Sequence, residues 1–236
     1  MKLIHGDCLK EMNNIDDFSI DLILTDPFYG SSGRDGSVHL EKDNILGNRM
    51  SSDSFIWFVR QYSKNFYRVT KPDSHCYVFS DWRKYKDVQI AFESHFWELR
   101  QLIVWNKKNG MGEFWRSTHE FILFFTKRHP RKLTHGGCFN VIDDIKPIRK
   151  KNKFHDYEKP EPLIEKLIIA SSKPGETVLD PFMGSGTTGA VCKKINRNFI
   201  GIEVSKNCFN IAKRRIEESQ YNQSLDLTAK SSGKSA

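Results

Sequence analysis

Three glycines, Gly184, Gly186 and Gly189, have the spacing of a loop that binds a nucleotide-like ligand. They follow a β-branched strand pattern and lead into a helical pattern that begins near Thr187. A strand, a tight turn and a helix N-terminus let backbone amides approach such a ligand closely. Glu203 ends the next predicted strand, 19 positions after Gly184, where a carboxylate can accept hydrogen bonds from both hydroxyls of a ribose.

The glycine spacing alone fits three alternatives: a nicotinamide or flavin dinucleotide site, an S-adenosylmethionine site, or a structural turn. The position of the loop in the chain separates them. Residues 204–236 are too few for the further strands and helices of a dinucleotide-binding half-fold, so the remaining strands are expected before the loop. The expected fold is therefore a permuted α/β sheet.

A second candidate loop follows the apolar strand pattern Leu22–Thr25 and consists of Asp26, Pro27, Phe28 and Tyr29. In open α/β sheets, ligands bind at the carboxyl edge of the strands, which is where these side chains would lie. Taken alone, the segment also fits a strand-ending turn whose aspartate caps a helix.

The same four residues resemble the Asp/Asn/Ser-Pro-Pro-aromatic signature of the DNA amino-methyltransferases. The resemblance implies that the Asp26 carboxylate and the Pro27 carbonyl accept hydrogen bonds from an exocyclic base amine, and that Tyr29 stacks on a flipped base. The implied donor, S-adenosyl-L-methionine, carries an already activated methyl group, so positioning for direct in-line transfer supplies much of the catalysis. At Phe28 the chain departs from the signature: the turn loses a proline φ restraint and gains a bulky ring.

Three further segments are similar to motifs of this family. Asp7 and Cys8 follow the first strand, where an aspartate of similar enzymes reaches the adenine amine of the cofactor. Lys159 belongs to His155–Pro160, which matches a His-x-x-x-Lys-Pro segment and implies a contact with the methionine carboxylate. His119–Glu120 opens an apolar strand, and because the H-E-x-x-H pattern is absent, no metal site is predicted. The cofactor contacts implied by the resemblance are Asp7, Cys8, Lys159, Asp180, Phe182, Gly184, Ser185, Gly186, Thr187, Thr188 and Glu203.

The motif order, with the catalytic loop first and the cofactor loop last, spans Lys2 to Ile216 and is similar to the beta class of these enzymes. It implies a Rossmann-like, doubly wound, mostly parallel sheet in a single domain at residues 1–220. In the family, aspartate at the first signature position is usual for adenine N6 and serine for cytosine N4. Asp26 thus favours adenine N6, and cytosine N4 stays as the alternative.

Short apolar runs alternate with amphipathic stretches, which predicts an α/β architecture with a buried sheet. The predicted strands are Lys2–His5, Asp21–Thr25, Cys76–Phe79, Leu102–Trp105, Phe121–Thr126, Thr177–Asp180 and Phe199–Glu203. The predicted helices are Ser54–Val69, Trp82–Ser94, Glu161–Ser172, Thr187–Ile195 and Ser205–Ser219. Gly30–Asp53 and Lys127–Asp156 interrupt the alternation and predict long functional or mobile loops, and Tyr221–Ala236 predicts a disordered tail.

The chain is basic, with 37 Lys and Arg against 29 Asp and Glu, a net charge of +8 and a pI near 9.2. Clustered positive charge suits a polyanion, and the partner implied by the resemblance is double-stranded DNA. Asn106–Arg116 is predicted to be a mobile base-probing loop, and Gly30–Asn48 resembles a lid that orders on binding. The residues predicted to contact DNA are Arg128, Arg131, Lys132, Arg149, Lys150 and Lys151.

The remaining composition argues for an intracellular protein. The five cysteines are scattered without zinc spacing, and no apolar run approaches the ~20 residues of a membrane helix. The expected location is the cytoplasm of a prokaryotic cell, including one that expresses a phage gene, with a homodimer as a possible assembly and no membrane contact. Three other functions stay open: a dinucleotide oxidoreductase, a DNA-binding protein with an inactive site, and a methyltransferase of RNA or protein amines.

Overall fold

The apolar runs form one eight-stranded sheet in the computed structural model, which describes residues 1–27, 51–110, 114–148 and 158–222. The strands are β1 (Lys2–His5), β2 (Ile20–Thr25), β3 (Thr70–Ser80), β4 (Trp97–Asn106), β5 (His119–Lys127), β6 (Val141–Ile142), β7 (Thr177–Asp180) and β8 (Asn198–Glu203). The helices are α1 (Cys8–Glu11), α2 (Ser52–Val69), α3 (Tyr85–Glu93), α4 (Glu161–Ser171), α5 (Thr187–Lys194) and α6 (Lys206–Glu218), and a short 3₁₀ helix spans Met12–Asn14.

The strand order is β1-β8-β7-β2-β3-β5-β4-β6. The neighbours from β1 to β3 are parallel, β5 runs antiparallel to both β3 and β4, and the short β6 pairs parallel with β4. This mostly parallel Rossmann-like sheet with a permuted motif order confirms the predicted fold class. Because β7 adjoins β2, the two loops that follow these strands meet at one edge, although they are far apart in sequence.

The central strands are buried by helices on both faces. All six residues of β2 are buried, as expected for a parallel strand covered on both sides. One apolar cluster lies under α2 and α3, and a second lies under α4, α5 and the inner side of α6. In α2, apolar side chains recur every three or four residues and form the buried stripe Phe55, Val59, Tyr62, Phe66 and Val69.

Each predicted strand and helix is present, with differences at the ends. The helix predicted from Trp82 begins only at Tyr85, because the Asp81 carboxylate accepts the backbone N–H groups of Arg83 and Lys84 and holds a turn there. The sequence prediction missed α1, the 3₁₀ helix and β6. Ser52 and Asp53, predicted to end a loop, form the first turn of α2.

Much of two predicted segments cannot be compared with the structure. Residues 30–50 of the predicted mobile loop and residues 223–236 of the predicted tail lie outside the described residues. In the parts of the chain that the structure describes, no helix has the length and apolar character needed to span a membrane.

Candidate active site

A buried carboxylate joins the two loops at the carboxyl edge of the sheet. Asp180, at the end of β7, accepts hydrogen bonds from Thr25 Oγ1 at 2.8 Å, Thr188 Oγ1 at 2.7 Å and the Phe182 N–H at 3.2 Å. Burial raises the pKa of Asp180 to about 7, against the hydrogen bonds from Thr188 and Thr25, which lower it. Asp180 therefore ties the end of β2 to the glycine loop.

A cavity of about 130 Å³ opens between these loops and the start of α4. Its lining includes eight of the residues predicted from motifs: Asp26, Lys159, Asp180, Phe182, Gly184, Ser185, Thr187 and Thr188. The tertiary structure thus brings segments from three distant parts of the chain around one space. Among the described residues there is no group of three His, Cys, Asp or Glu side chains arranged to hold a metal ion.

The glycines of the loop meet different steric demands. Gly184 and Gly186 have φ angles of +51° and +79°, in the left-handed region that favours glycine. A Cβ atom at Gly186 would lie 2.8 Å from the Ala212 Cβ of α6, and one at Gly189 would overlap Ile216 and Phe199. The loop therefore turns tightly, and α5 and α6 pack closely behind it.

Glu203 lies beside this loop and is held by backbone amides. Its Oε2 accepts the Gly184 N–H at 2.9 Å, and its Oε1 accepts the Ser205 N–H at 2.8 Å. Each carboxylate oxygen has a second lone pair, so Glu203 can still accept the two hydroxyls of a ribose. Asp7, on the neighbouring loop, uses Oδ1 to cap α1, and Cys8 behind it is buried.

A row of alternating charges leads into the cavity. Lys159 Nζ lies 2.7 Å from Asp26 Oδ2 and 2.9 Å from Glu120 Oε2, and Lys107 Nζ lies 2.9 Å from Glu120 Oε1. Although burial alone would lower it, Asp26 and Glu120 hold the pKa of Lys159 above its usual value. Burial would likewise raise the pKa of Glu120, but Lys159 and Lys107 keep it below its usual value. Lys159 and Glu120 are therefore both charged at neutral pH.

Glu120 was not among the predicted site residues. The only sequence signal was its place in the His119–Glu120 pair, which suggested a family strand without a function for the carboxylate. Lys159 was predicted to contact the carboxylate of the donor, and in the structure its ammonium group contacts two carboxylates of the protein itself.

A buried ion pair supports the backbone next to Lys159. Arg215 Nη2 of α6 lies 2.8 Å from Glu158 Oε1 and 3.0 Å from Glu161 Oε1, and its Nη1 donates to Thr187 Oγ1 at 2.9 Å. The side chains of Arg215 and Glu158 are 7% and 3% exposed. Arg215 thus connects the start of α4 to the start of α5, a function that no local motif signalled.

Three of the predicted DNA contacts, Arg128, Arg131 and Lys132, follow β5 and lie at the opposite, amino edge of the sheet. Arg131 pairs with Glu176 at 2.7 Å and donates to the backbone carbonyls of Ser171 and Asp21. Its guanidinium group is bonded to other parts of the protein, and this argues against the predicted DNA contact. The exposed Arg128 and Lys132 flank it after β5. Asp26 lies level with Ile122 of β5, so Arg128 is about 20 Å further along the strand direction. Tyr29, Arg149, Lys150 and Lys151 lie outside the described residues.

The β4–β5 hairpin, which contains the predicted base-probing segment Asn106–Arg116, lies at the same edge as Asp26. The Lys107 N–H donates to the Thr118 carbonyl at 2.7 Å and closes the base of the hairpin. Beyond it, the side chains of Phe114 and Trp115 are 80% and 98% exposed. Residues 111–113 are not among those described.

Comparisons with known proteins agree with this arrangement. A family model for N6/N4-type DNA methylases matches residues 20–214. The Type II methyltransferase M.HpaI of Haemophilus parainfluenzae is 32% identical, covering 94% of this chain and 75% of the relative. The Type II methyltransferase M.HinfI of Haemophilus influenzae is 30% identical, covering 93% and 69%. The crystal structure of an M1.HpyAVI–SAM complex matches with a TM-score of 0.65 and 26% identity, covering 91% of this chain and 98% of that one.

Proposed function

This chain belongs to the N6/N4 family of DNA methylases, and from that premise we propose that it methylates adenine N6 in double-stranded DNA. The observation that carries the proposal is the meeting of Asp26, Lys159 and the glycine loop around one cavity. Cytosine N4 stays as the alternative acceptor, because both amines present N–H groups that need the same acceptors.

The cofactor is S-adenosyl-L-methionine, which supplies a methyl group activated by its sulfonium. We assign Glu203 to the ribose hydroxyls, because its oxygens keep free lone pairs beside the glycine loop. Gly184, which donates its N–H to Glu203 and has a left-handed φ, brings no side chain into that space. Asp7 is assigned to the adenine amine of the cofactor through the oxygen that does not cap α1, and Cys8 to the wall of the same region.

The acceptor groups for the target amine are the Asp26 carboxylate and the Pro27 carbonyl. The amine lone pair is delocalised into the base, so hydrogen bonds from its N–H groups to these oxygens help the nitrogen become tetrahedral. Lys159 pairs with Asp26 at 2.7 Å, and in the ionised form this carboxylate can take the proton that the nitrogen loses. Tyr29 is assigned to stack on the flipped base, as the family signature implies.

Adenine is favoured over cytosine because Asp26, and not serine, stands at the first signature position. Phe28 leaves this pair of acceptors intact, since Asp26 and Pro27 both precede it. The Type II relatives indicate a modification enzyme of the restriction-modification kind.

The DNA partner would approach the carboxyl edge of the sheet. The exposed Phe114 and Trp115 on the β4–β5 hairpin offer stacking surfaces there, with Arg116 beside them for a phosphate. Arg149, Lys150 and Lys151 remain predicted phosphate contacts, as do Arg128 and Lys132 for DNA that extends to the amino edge. Base flipping, a homodimer and a cytoplasmic location likewise remain predictions.

The function is tested with isotopically labelled S-adenosyl-L-methionine and mixed-sequence duplex DNA, followed by digestion to nucleosides and mass analysis. N6-methyladenine is the expected product. N4-methylcytosine would keep the family assignment and overturn the base assignment. Competition with duplex RNA and with a protein acceptor tests the choice of DNA.

Two variants sharpen this experiment. Asp26→Ala should abolish transfer while cofactor binding persists, because the glycine loop and Glu203 are unchanged. Glu176→Gln alters an ion pair at the opposite edge of the sheet and should leave transfer intact. Wild-type protein that binds the donor and DNA but labels no nucleoside would contradict the proposal and favour a DNA-binding protein with an inactive site.

A further inference from the structure

We propose that Glu120 is a positioning residue for methyl transfer, which acts through Lys159 to set the direction and the charge balance of the Asp26 carboxylate. The inference rests on the proposed function and deepens it. It concerns a carboxylate that is not itself among the residues lining the cavity but contacts one of them, Lys159, which in turn contacts Asp26.

The strand order explains how Glu120 reaches the site. Asp26 follows β2, Glu120 lies at the start of β5, and β3 runs between them. The backbones of strands two places apart are separated by about 9–10 Å, so side chains have to bridge this distance. Lys159 Nζ lies between the two carboxylates, 2.7 Å from Asp26 and 2.9 Å from Glu120, and 5.0 Å from the ring centroid of Phe79 on the intervening strand. Two carboxylates and an aromatic face therefore define the position of the ammonium group.

Glu120 supplies the second anion in a row of two lysines and two carboxylates that ends at Asp26. The charged or titratable groups described near this row are Lys159 before α4, Glu120 on β5, Lys107 after β4, Asp180 at the end of β7, and Glu158, which lines the cavity and pairs with Arg215. Without the Glu120 charge, the two lysines lose the anion between them, and Lys159 pairs with Asp26 alone. A carboxylate drawn fully to a lysine is a weaker acceptor for the N–H of a base amine. Because Lys159 is shared with Glu120, Asp26 is not turned entirely toward the lysine.

A purely structural ion pair would have a different signature, and the chain offers one for comparison. Glu176 pairs with Arg131 at 2.7 Å, and its side chain is 21% exposed, against 20% for Glu120. It lies at the amino edge of the sheet, away from the cavity. Glu176→Gln therefore makes the same chemical change at the same burial without the predicted effect on transfer.

The first test compares Glu120→Gln, Glu120→Asp and Glu176→Gln with wild type in single-turnover methyl transfer. Glu120→Gln should lower the rate on the order of tenfold to a hundredfold, the range expected when a reacting group is misplaced. The dissociation constant of this variant for the donor and its KM for DNA should stay within about twofold of wild type, because the substitution removes stabilisation of the transition state and not of the bound substrates. Glu120→Asp should recover part of the rate, and Glu176→Gln should keep the wild-type rate even if its melting temperature falls.

The second test does not require methyl transfer. Acylation of Lys159 by an amine-reactive reagent at pH 9, followed by mass analysis of its peptide, reports how much of the amine is unprotonated. Loss of the Glu120 charge should increase this labelling several-fold, because one of the two anions that stabilise the ammonium form is gone. Glu176→Gln should not change it.

The outcomes separate the inference from the proposed function. If wild type methylates DNA and Glu120→Gln behaves like Glu176→Gln in both rate and labelling, the inference is overturned and the function stands. If wild type transfers no methyl group while Glu120→Gln still increases Lys159 labelling, the function fails and the coupling of Glu120 to Lys159 stands. Increased labelling with an unchanged transfer rate would also overturn the positioning of Asp26 by Glu120.

Discussion

Asp180→Asn should stabilise the cofactor-free protein increasingly as the pH rises toward 7. Burial raises the pKa of Asp180 from 3.8 to about 7, so folding opposes its ionisation. A raised folded-state pKa contributes stability that is fully present below pH 3.8 and is lost as the pH rises through 7. The shift corresponds to about 4 kcal/mol of unfolding free energy, which wild type loses across this pH window. The Asp180→Asn variant has no ionisable group at this position and does not lose it.

The hydrogen bonds around Asp180 make asparagine a close substitute. Its Oδ1 can still accept from Thr25 and the Phe182 N–H, and its amide can donate to the Thr188 hydroxyl once that hydroxyl reverses. Urea unfolding of both proteins at each pH from 4 to 8 measures the difference in unfolding free energy. The difference should move in favour of the variant by about 1.4 kcal/mol per pH unit and level off above pH 7. A difference independent of pH would refute the reasoning, because it would mean that the three donors offset burial and keep Asp180 ionised.

Three further predictions concern stability and DNA contact. Burial lowers the pKa of His75 to about 4, so the unfolded chain binds more protons than the folded protein between pH 6.5 and 4. The unfolding free energy of wild type should therefore fall by about 3 kcal/mol as the pH falls through that window, and acid unfolding of His75→Gln should lack this trend. Arg215→Met should lower the unfolding free energy by about 3–5 kcal/mol, because it leaves the Glu158 carboxylate buried without this arginine. In urea titrations, adding Glu158→Gln to this variant should restore much of the lost unfolding free energy. If the effects of the two substitutions simply add, this account is wrong. Trp115→Ala should leave the unfolding free energy within about 0.5 kcal/mol, because the side chain is 98% exposed, yet weaken duplex DNA binding by about 1–3 kcal/mol in fluorescence anisotropy; unchanged binding would remove the hairpin from the interface.

Elements with a clear pattern in their own residues were predicted with correct limits, and elements without one were misplaced or missed. β1 and β7 have the predicted limits, since apolar runs there end at Gly6 and Pro181. The start of α3 was misplaced because a side chain, Asp81, caps a turn that apolar periodicity does not report. The two-residue strand β6 was missed because its pairing with β4 has no signal in its own sequence.

The candidate site shows the same division. The glycine spacing, Glu203 and the Asp26-Pro27 pair could be selected from the sequence, because each belongs to a local strand-and-turn pattern. Glu120 could not be selected as a site residue, because its contact with Lys159 across β3 has no local pattern. Charge composition was a weaker guide still, since it does not distinguish Arg131, which is bonded within the fold, from an arginine that meets solvent.

The sequence by itself determined the family motifs, their permuted order and the alternation of strands and helices, because turn chemistry and apolar periodicity are local properties of the chain. Only the tertiary structure decided which charges meet. The pairs Lys159–Asp26, Lys159–Glu120 and Glu158–Arg215 each join segments that strand order and helix packing bring together. Ion pairing acts over a few ångströms of space and is indifferent to sequence separation, so the charge balance at Asp26 exists only in the folded protein.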